Sequence, residues 1–457
     1  MEPEPSRELT GRGVAVALAT FVALSVAVAL TWWSPEPEVE PAGPSGAPVV
    51  AATPVTSYAS PLIATTLDAP EPRAAKTDAA AADEIEVCGG NWLKLGADGQ
   101  PTPESAAAVS SRLIDEAAST AFASMKASAS PRAQAAAHYF RAGRASTAKL
   151  LRSSCDGDEA CIRTASAWQG DGAGQRDALA RMAQDSDDPQ VYAWAYRSCR
   201  AAPAADRGAC QMINAAQWAR LDPLNAEPWL ALGAEAQSRK DAAAFEDAMF
   251  HVASAERHDP GWAALPASLM DHLPADDSAL IGTRGLIVQV VGLEAKDGTA
   301  WAPVARYCGA RELVDSNRGQ TCERIATLLV EHSSTTLARS VGVGIGTRLG
   351  WPAERLDALA LQRDAEAAVQ QKRSVEANAL DCATLRGEVD RWRDIVQFGE
   401  VEALRRDVIA SGKPVAQLAV DYRRFVAEAT AREGRQGAAA SSAAFEGRAS
   451  DALRASR

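Results

Sequence analysis

The chain has 457 residues, enough to bury a sizeable core even without its low-complexity ends. Its net charge of −12 comes from interspersed acids and bases, which excludes the concentrated Lys/Arg surface that a nucleic-acid partner needs. Alanine is abundant and aromatic residues make up only 5% of the sequence, a balance that favours helix over strand.

The chain opens with a short charged segment, 1–12, followed by the uncharged run GVAVALATFVALSVAVALTWW over 13–33. At 1.5 Å per helical residue this run matches a bilayer's hydrocarbon core of about 30 Å, and Trp32 and Trp33 suit the headgroup level. Arg7 and Arg12 precede it, and the next Lys or Arg is Arg73. The positive-inside rule therefore predicts a single-pass membrane helix with a cytoplasmic N-terminus and an exported, periplasmic or otherwise extracytoplasmic bulk. Ala27-Val28-Ala29 offers an A-x-A cleavage site, so a removed signal peptide is the competing reading. The apolar run continues past that site, which favours a retained anchor.

Residues 34–83 carry nine prolines among Ala, Thr, Ser and Glu. Proline removes backbone donors and there is little to bury, so this stretch is expected to be an extended, disordered spacer. An exported helical domain is expected over 84–432, and the Ala/Ser/Gly/Arg tail, 433–457, is expected to be disordered. Residues 84–99 are short and turn-rich and suggest a cap or small hairpin. Helical periodicity then appears over 106–126 and 131–151, with Val109, Leu113 and Ala117 on one face and Ala133, Ala136 and Phe140 on another. Further helices are expected at about 158–168, 174–184 and 189–199, the last with Asp188 as N-cap and Pro189 in its first turn. Leu280–Val291 is too short to span a bilayer and reads as core. A long charged helix follows over 351–376. Stripes at Leu385/Val389/Trp392/Val396, Val401/Leu404/Val408 and Leu418/Tyr422/Phe425 mark three more helices, joined at Gly399 and Gly412-Lys413-Pro414.

An internal repeat organises the middle. DPQVYAWAYRSC (188–199) matches DGTAWAPVARYC (297–308) at Asp188/Asp297, Ala193/Ala302, Arg197/Arg306 and Cys199/Cys308. Each copy runs on to an Arg-Gly pair and a second cysteine, Cys210 or Cys322. Each reads as a helix ending at a cysteine, a polar loop, and a second helix starting at a cysteine. In an exported protein an even set of cysteines reads as disulfides. Proximity pairs Cys155 with Cys161, Cys199 with Cys210 and Cys308 with Cys322. Cys88 and Cys382 remain and are expected to bond to each other.

Between the copies stand Asp222-Pro223, Asn225-Ala226, Trp229, Leu232 and Gly233, then Ala248, Ala255 and Asp259-Pro260. Over about 218–260 this resembles a tetratricopeptide repeat. It departs by about three extra residues between the helices, and Ala236 stands where that family usually has tyrosine. The resemblance implies a stacked helical hairpin and says little about its partner.

No chemistry-bearing motif emerges. The five histidines form no H-E-x-x-H or H-x-x-x-H arrangement, so no metal and no cofactor is implied. His251 and His258, seven apart, are expected to share an exposed or capping face. There is no C-x-x-C and no G-x-S-x-G. Gly342-Val-Gly-Ile-Gly346 reads as close helix packing. Ser/His/acid sets converge only in space and stay open. Trp194, Trp229, Trp301 and Trp392 read as core, whereas Trp92, Trp262 and Trp351 lie near turns and are candidate stacking residues for a sugar or peptide. The expected architecture is all-α: an array of antiparallel helical hairpins, a TPR-like α-solenoid stapled by disulfides, after one N-terminal transmembrane helix. The expected partners are the membrane, through that helix, and an envelope protein or peptide bound by a non-catalytic scaffold. The competing class is a cell-wall-acting enzyme, or its accessory subunit, with an acid/base pair inside the helical array.

Overall fold

The computed structural model describes residues 83–431, apart from 98, 156–161, 163–164, 167, 201, 203–206, 297–298 and 377–379. The expected anchor, spacer and tail lie outside the described residues, as does most of the helix expected at 158–168. Among the described residues no helix is long and apolar enough to cross a membrane. They are predominantly helical, with one two-stranded sheet. Two compact units divide after Arg112.

In the first unit β1 (Glu84–Val87) pairs antiparallel with β2 (Asn91–Lys94), Glu84 opposite Lys94 and Val87 opposite Asn91. Gly89 and Gly90 take φ of 79° and 70°, and the Asn91 amide donates to the Cys88 carbonyl at 3.1 Å, closing the turn. Helix α1 (Pro103–Ala127) starts in this unit, and Ser105 Oγ accepts the amide of Lys94.

In the second unit α1 continues, followed by α2 (Pro131–Ser153), α3 (Gly172–Gln184) and α4 (Pro189–Arg200). Ser130 caps α2 by accepting from the Ala133 amide, and Pro131 occupies its first turn. Asp188 accepts from the Gln190 amide at the start of α4 and pairs with Arg132. Alanine explains how these helices pack: Ala133, Ala135, Ala136 and Ala137 of α2 are all buried, around Tyr139, Phe140 and Trp194. After a 3₁₀ turn at Gly208–Met212 come α5 (Ala215–Leu221), α6 (Ala226–Ser238), α7 (Ala242–Ser254) and α8 (Ala264–Met270). Next is α9 (Leu280–Lys296), whose Leu286, Ile287 and Val290 are fully buried. It approaches α1 closely because Gly282 has no side chain to meet the Leu113 carbonyl. Arg284, the interruption in that apolar run, faces Glu388 in an ion pair.

A second core joins α6 and α7 to α10 (Ala302–Tyr307), α11 (Ser316–Glu331) and α12 (Thr336–Arg348). The extra residues expected between the helices of the TPR-like pair form no long loop: α6 and α7 are separated only by 239–241. Gly342 faces Leu329 and Val330 of α11 and lies 2.9 Å from both at the place a Cβ would take. A third core joins α13 (Ala353–Glu376), α15 (Glu400–Ala410) and a final helix, α16, over 415–431; α14 (Cys382–Phe398) packs on α9 and α15.

Cys199–Cys210 and Cys308–Cys322 are disulfides with Cα separations of 5.3 and 5.7 Å. Cys88, Cys155 and Cys382 are each disulfide-bonded as well, and Cys161 lies outside the described residues. The repeat's expected "helix starting at a cysteine" needs correction in both copies. Cys210 sits in the 3₁₀ turn, and the next helix begins only at Ala215, whereas Cys322 lies inside α11. Nor are the two copies equivalent at their shared arginine: Arg197 is buried, Arg306 exposed.

Candidate functional site

Interhelical linkers far apart in sequence are bonded to one another in the second unit. Ala226 N donates to Arg257 O at 2.9 Å, and Glu256 N to Leu224 O at 3.0 Å. His258 N donates to His332 O at 3.0 Å, and Ser334 N returns to His258 O at 3.1 Å. Glu400 N then donates to Ser334 O at 3.0 Å. Segments 224–226, 256–258, 332–334 and 399–401 thus form a ladder of short parallel bridges and turns. Gly399, with φ of 82°, lets α15 begin directly against Ser334.

The rungs carry polar side chains, of which Asn225, Glu227 and His258 are buried. Asn225 Nδ2 donates to Asp259 O at 2.8 Å and to Asp222 Oδ2 at 2.9 Å, while its Oδ1 accepts the amides of Glu227 and Asp259. His258 is wholly buried, with Nε2 3.2 Å from Glu227 Oε2 and Nδ1 3.0 Å from Ser333 Oγ. An ionised Glu227 can only accept, so Nε2 donates to it. Thr299 Oγ1 also donates to Glu227, at 2.7 Å. Burial pushes the Glu227 carboxyl up, but the His258 hydrogen bond, the charges of His258 and Arg197 and the Thr299 bond together hold it below the usual range. At the next rung Glu400 accepts the amide and hydroxyl of Thr336, each at 2.9 Å, yet burial dominates and raises its carboxyl. Beside the ladder Arg197 donates to Glu294 at 3.0 Å and to the Pro260 carbonyl, and Trp194 donates to the other Glu294 oxygen.

A serine, a histidine and a carboxylate in line invite comparison with a hydrolytic triad. The surrounding amides argue otherwise. The N–H of Ser334 donates to His258 O, that of Thr335 to Ser333 Oγ and that of Thr336 to Glu400, so these three are taken up by the fold and not held ready for a developing oxyanion. Glu227 and Glu400, though shifted in opposite directions, occupy different rungs, each engaged by the fold's own donors. The arrangement bolts linkers together. Sequence spacing placed His258 on an exposed or capping face shared with His251; in fact it lies beyond the end of α7 and is buried, while His251 stacks on Trp229 with centroids 4.0 Å apart.

The candidate stacking tryptophans separate. Trp92, on β2, is 45% exposed. Trp262 is half-buried with its ring edge-on to Trp392 at 5.9 Å. Trp351 is buried, donates to Glu323 at 2.7 Å and lies over Gly346, so the expectation of an available ring there is corrected. The exposed aromatic that the sequence did not single out is Phe250, 56% exposed on α7, with its ring 5.8 Å from that of His251. Beside the end of α7 lies an open cleft of about 230 Å³, lined by Ala253 and Ala255 and, from α11 and just beyond it, by Glu323, Arg324, Thr327, Leu328 and His332. Among the described residues no three His, Cys, Asp or Glu side chains group as metal ligands would.

No family model matches the chain, and neither a curated protein nor a solved structure matches it significantly.

Proposed function

We propose that the chain is a membrane-anchored, exported, periplasm-type scaffold that binds a protein or peptide without catalysis. Its TPR-like array of antiparallel helical hairpins would stand off the membrane on the proline-rich spacer. The uncharged run over 13–33 supports the anchor, and the disulfides fit an oxidising compartment. The ladder of linkers supports a solenoid reading, because it ties the ends of α6, α7, α11 and α15 to one another.

A single observation carries the binding reading: Phe250 stands exposed beside the stacked Trp229–His251 pair, one turn of α7 before Ala253, which lines a cleft. Benzophenone-bearing residues placed at Phe250, and separately at exposed Asp357, should be photo-activated in native membranes. A discrete protein adduct from position 250 and none from 357 is the expected outcome. Equal, diffuse adducts from both positions would remove the reading. Protease digestion of sealed, oriented vesicles tests the topology, and degradation of the bulk from the cytoplasmic side would refute export.

The competing class, a cell-wall-acting enzyme or its accessory subunit, gains no support from the Ser333–His258–Glu227 chain, where the amides of Ser334, Thr335 and Thr336 are engaged within the fold.

A further inference from the structure

We infer that the cleft between α7 and α11 takes an acidic side chain of a peptide partner, with a neighbouring apolar residue of that peptide against Phe250; this rests on the scaffold reading above. The floor is apolar: Ala253, Ala255 and Leu328. Besides Glu323, three polar side chains reach it, Arg324 and Thr327 one turn apart on α11 and His332 just past its end. None of the three makes a side-chain hydrogen bond or ion pair with another described residue, although most arginines nearby are paired: Arg318 with Glu246 and Glu312, and Arg355 with Glu331.

Charge decides the sign of the occupant. The acid in the lining, Glu323, accepts from Trp351 at 2.7 Å and faces Arg355 at 3.7 Å, while Glu331 meets Arg355 at 3.0 Å. Those acids are answered within the fold, and Arg324 is left as the uncompensated charge. A guanidinium fork beside a hydroxyl complements a carboxylate, which can accept from both. Size decides its scale. A cleft of about 230 Å³ falls below the roughly 300–1,000 Å³ usual for a whole small-molecule site and suits one anchoring side chain. Phe250 precedes Ala253 by one turn of α7, so the apolar neighbour of that side chain has a surface to meet.

The test uses the full chain in detergent micelles and fluorescein-labelled, C-terminally amidated peptides of three Gly-Leu-Asp units, with Gly-Leu-Asn and Gly-Leu-Lys counterparts. Fluorescence polarisation should show the aspartate peptide binding at least about tenfold more tightly than either counterpart, as expected when a charge-assisted pair is lost. Arg324→Glu should abolish that preference, and Phe250→Ala should weaken the aspartate peptide while leaving the preference in place. Equal binding of the asparagine peptide, or an unaltered preference in Arg324→Glu, overturns the inference. So does tight binding of the asparagine peptide only when its C-terminus is a free acid, which would assign the cleft to a chain terminus. If no peptide binds while benzophenone at Phe250 still captures a protein, the acidic-peptide assignment fails and the scaffold reading stands. Loss of both signals removes both.

Discussion

His258 and Ser333, 75 residues apart in sequence, meet twice: through the imidazole Nδ1 and the hydroxyl at 3.0 Å, and through a parallel backbone bridge. The side-chain contact continues to Glu227, so one ring ties three segments together. His258→Ala should therefore lower stability by about 3 kcal/mol, because it leaves a buried carboxylate without its partner. Urea unfolding of the two proteins measures this. A loss under about 1 kcal/mol would mean that the ring is dispensable to the ladder.

Ser333 should behave as a structural hydroxyl. Ser333→Ala is expected to cost about 1 kcal/mol, and a fluorophosphonate probe should leave the serine unmodified. Stoichiometric labelling at Ser333, detected by peptide mass, would restore the hydrolytic reading.

Acid and base should act on the ladder in opposite senses. Glu227 has a folded pKa below its unfolded value of about 4.3, so its contribution is present above that value and lost as pH falls through the folded pKa. Glu400 has a raised folded pKa, so its contribution is present below about 4.3 and lost as pH rises through the folded pKa. Relative to wild type, Glu400→Gln should gain stability on going from pH 4 to pH 7, whereas Glu227→Gln should lose it. Unfolding curves across that range check the signs, and the same trend in both variants would contradict them.

Arg197 and Arg306 occupy matching positions of the internal repeat, yet only Arg197 is buried, against Glu294 at 3.0 Å. Arg197→Ala should cost roughly 3–5 kcal/mol and Arg306→Ala less than about 0.5 kcal/mol. Pairing Arg197→Met with Glu294→Leu should recover much of the loss. Thermal unfolding of the three variants separates these cases.

The two local disulfides should differ in access. Cys199 and Cys210 are 8% and 6% exposed, whereas Cys308 and Cys322 are both at 0%. Mild reduction of the folded protein followed by alkylation should mark Cys199 and Cys210 first. Loss of either bond should cost about 3 kcal/mol on loop length alone.

Much of the local structure was legible in the sequence because its causes are local. Pro131 after Ser130, and Pro189 after Asp188, start helices where capping chemistry places them. The repeated cysteine spacing brings out Cys199–Cys210 and Cys308–Cys322, and the glycine-rich stretch packs closely at Gly342 and Gly346. What stayed hidden depends on partners far along the chain. The burial of His258 requires Glu227, 31 residues earlier, and Ser333, 75 later. Trp351 follows a glycine turn and looked available, but the missing side chain of Gly346 gives the indole a place to lie. Arg197 and Arg306 share a motif and differ in environment, which no local pattern records. Phe250 belongs to an amphipathic helix like any other, and only the placement of α11 beside it leaves a cleft at its foot.

Because linkers, and not only helices, are bonded to one another, the start of α6, the ends of α7 and α11 and the start of α15 cannot melt without opening a shared rung. In a one-dimensional stack that coupling raises the nearest-neighbour energy relative to the intrinsic stability of each pair. Fraying should then be confined to the ends of the stack. A pull on one end, as from a tethered partner, would meet its resistance first at those shared rungs.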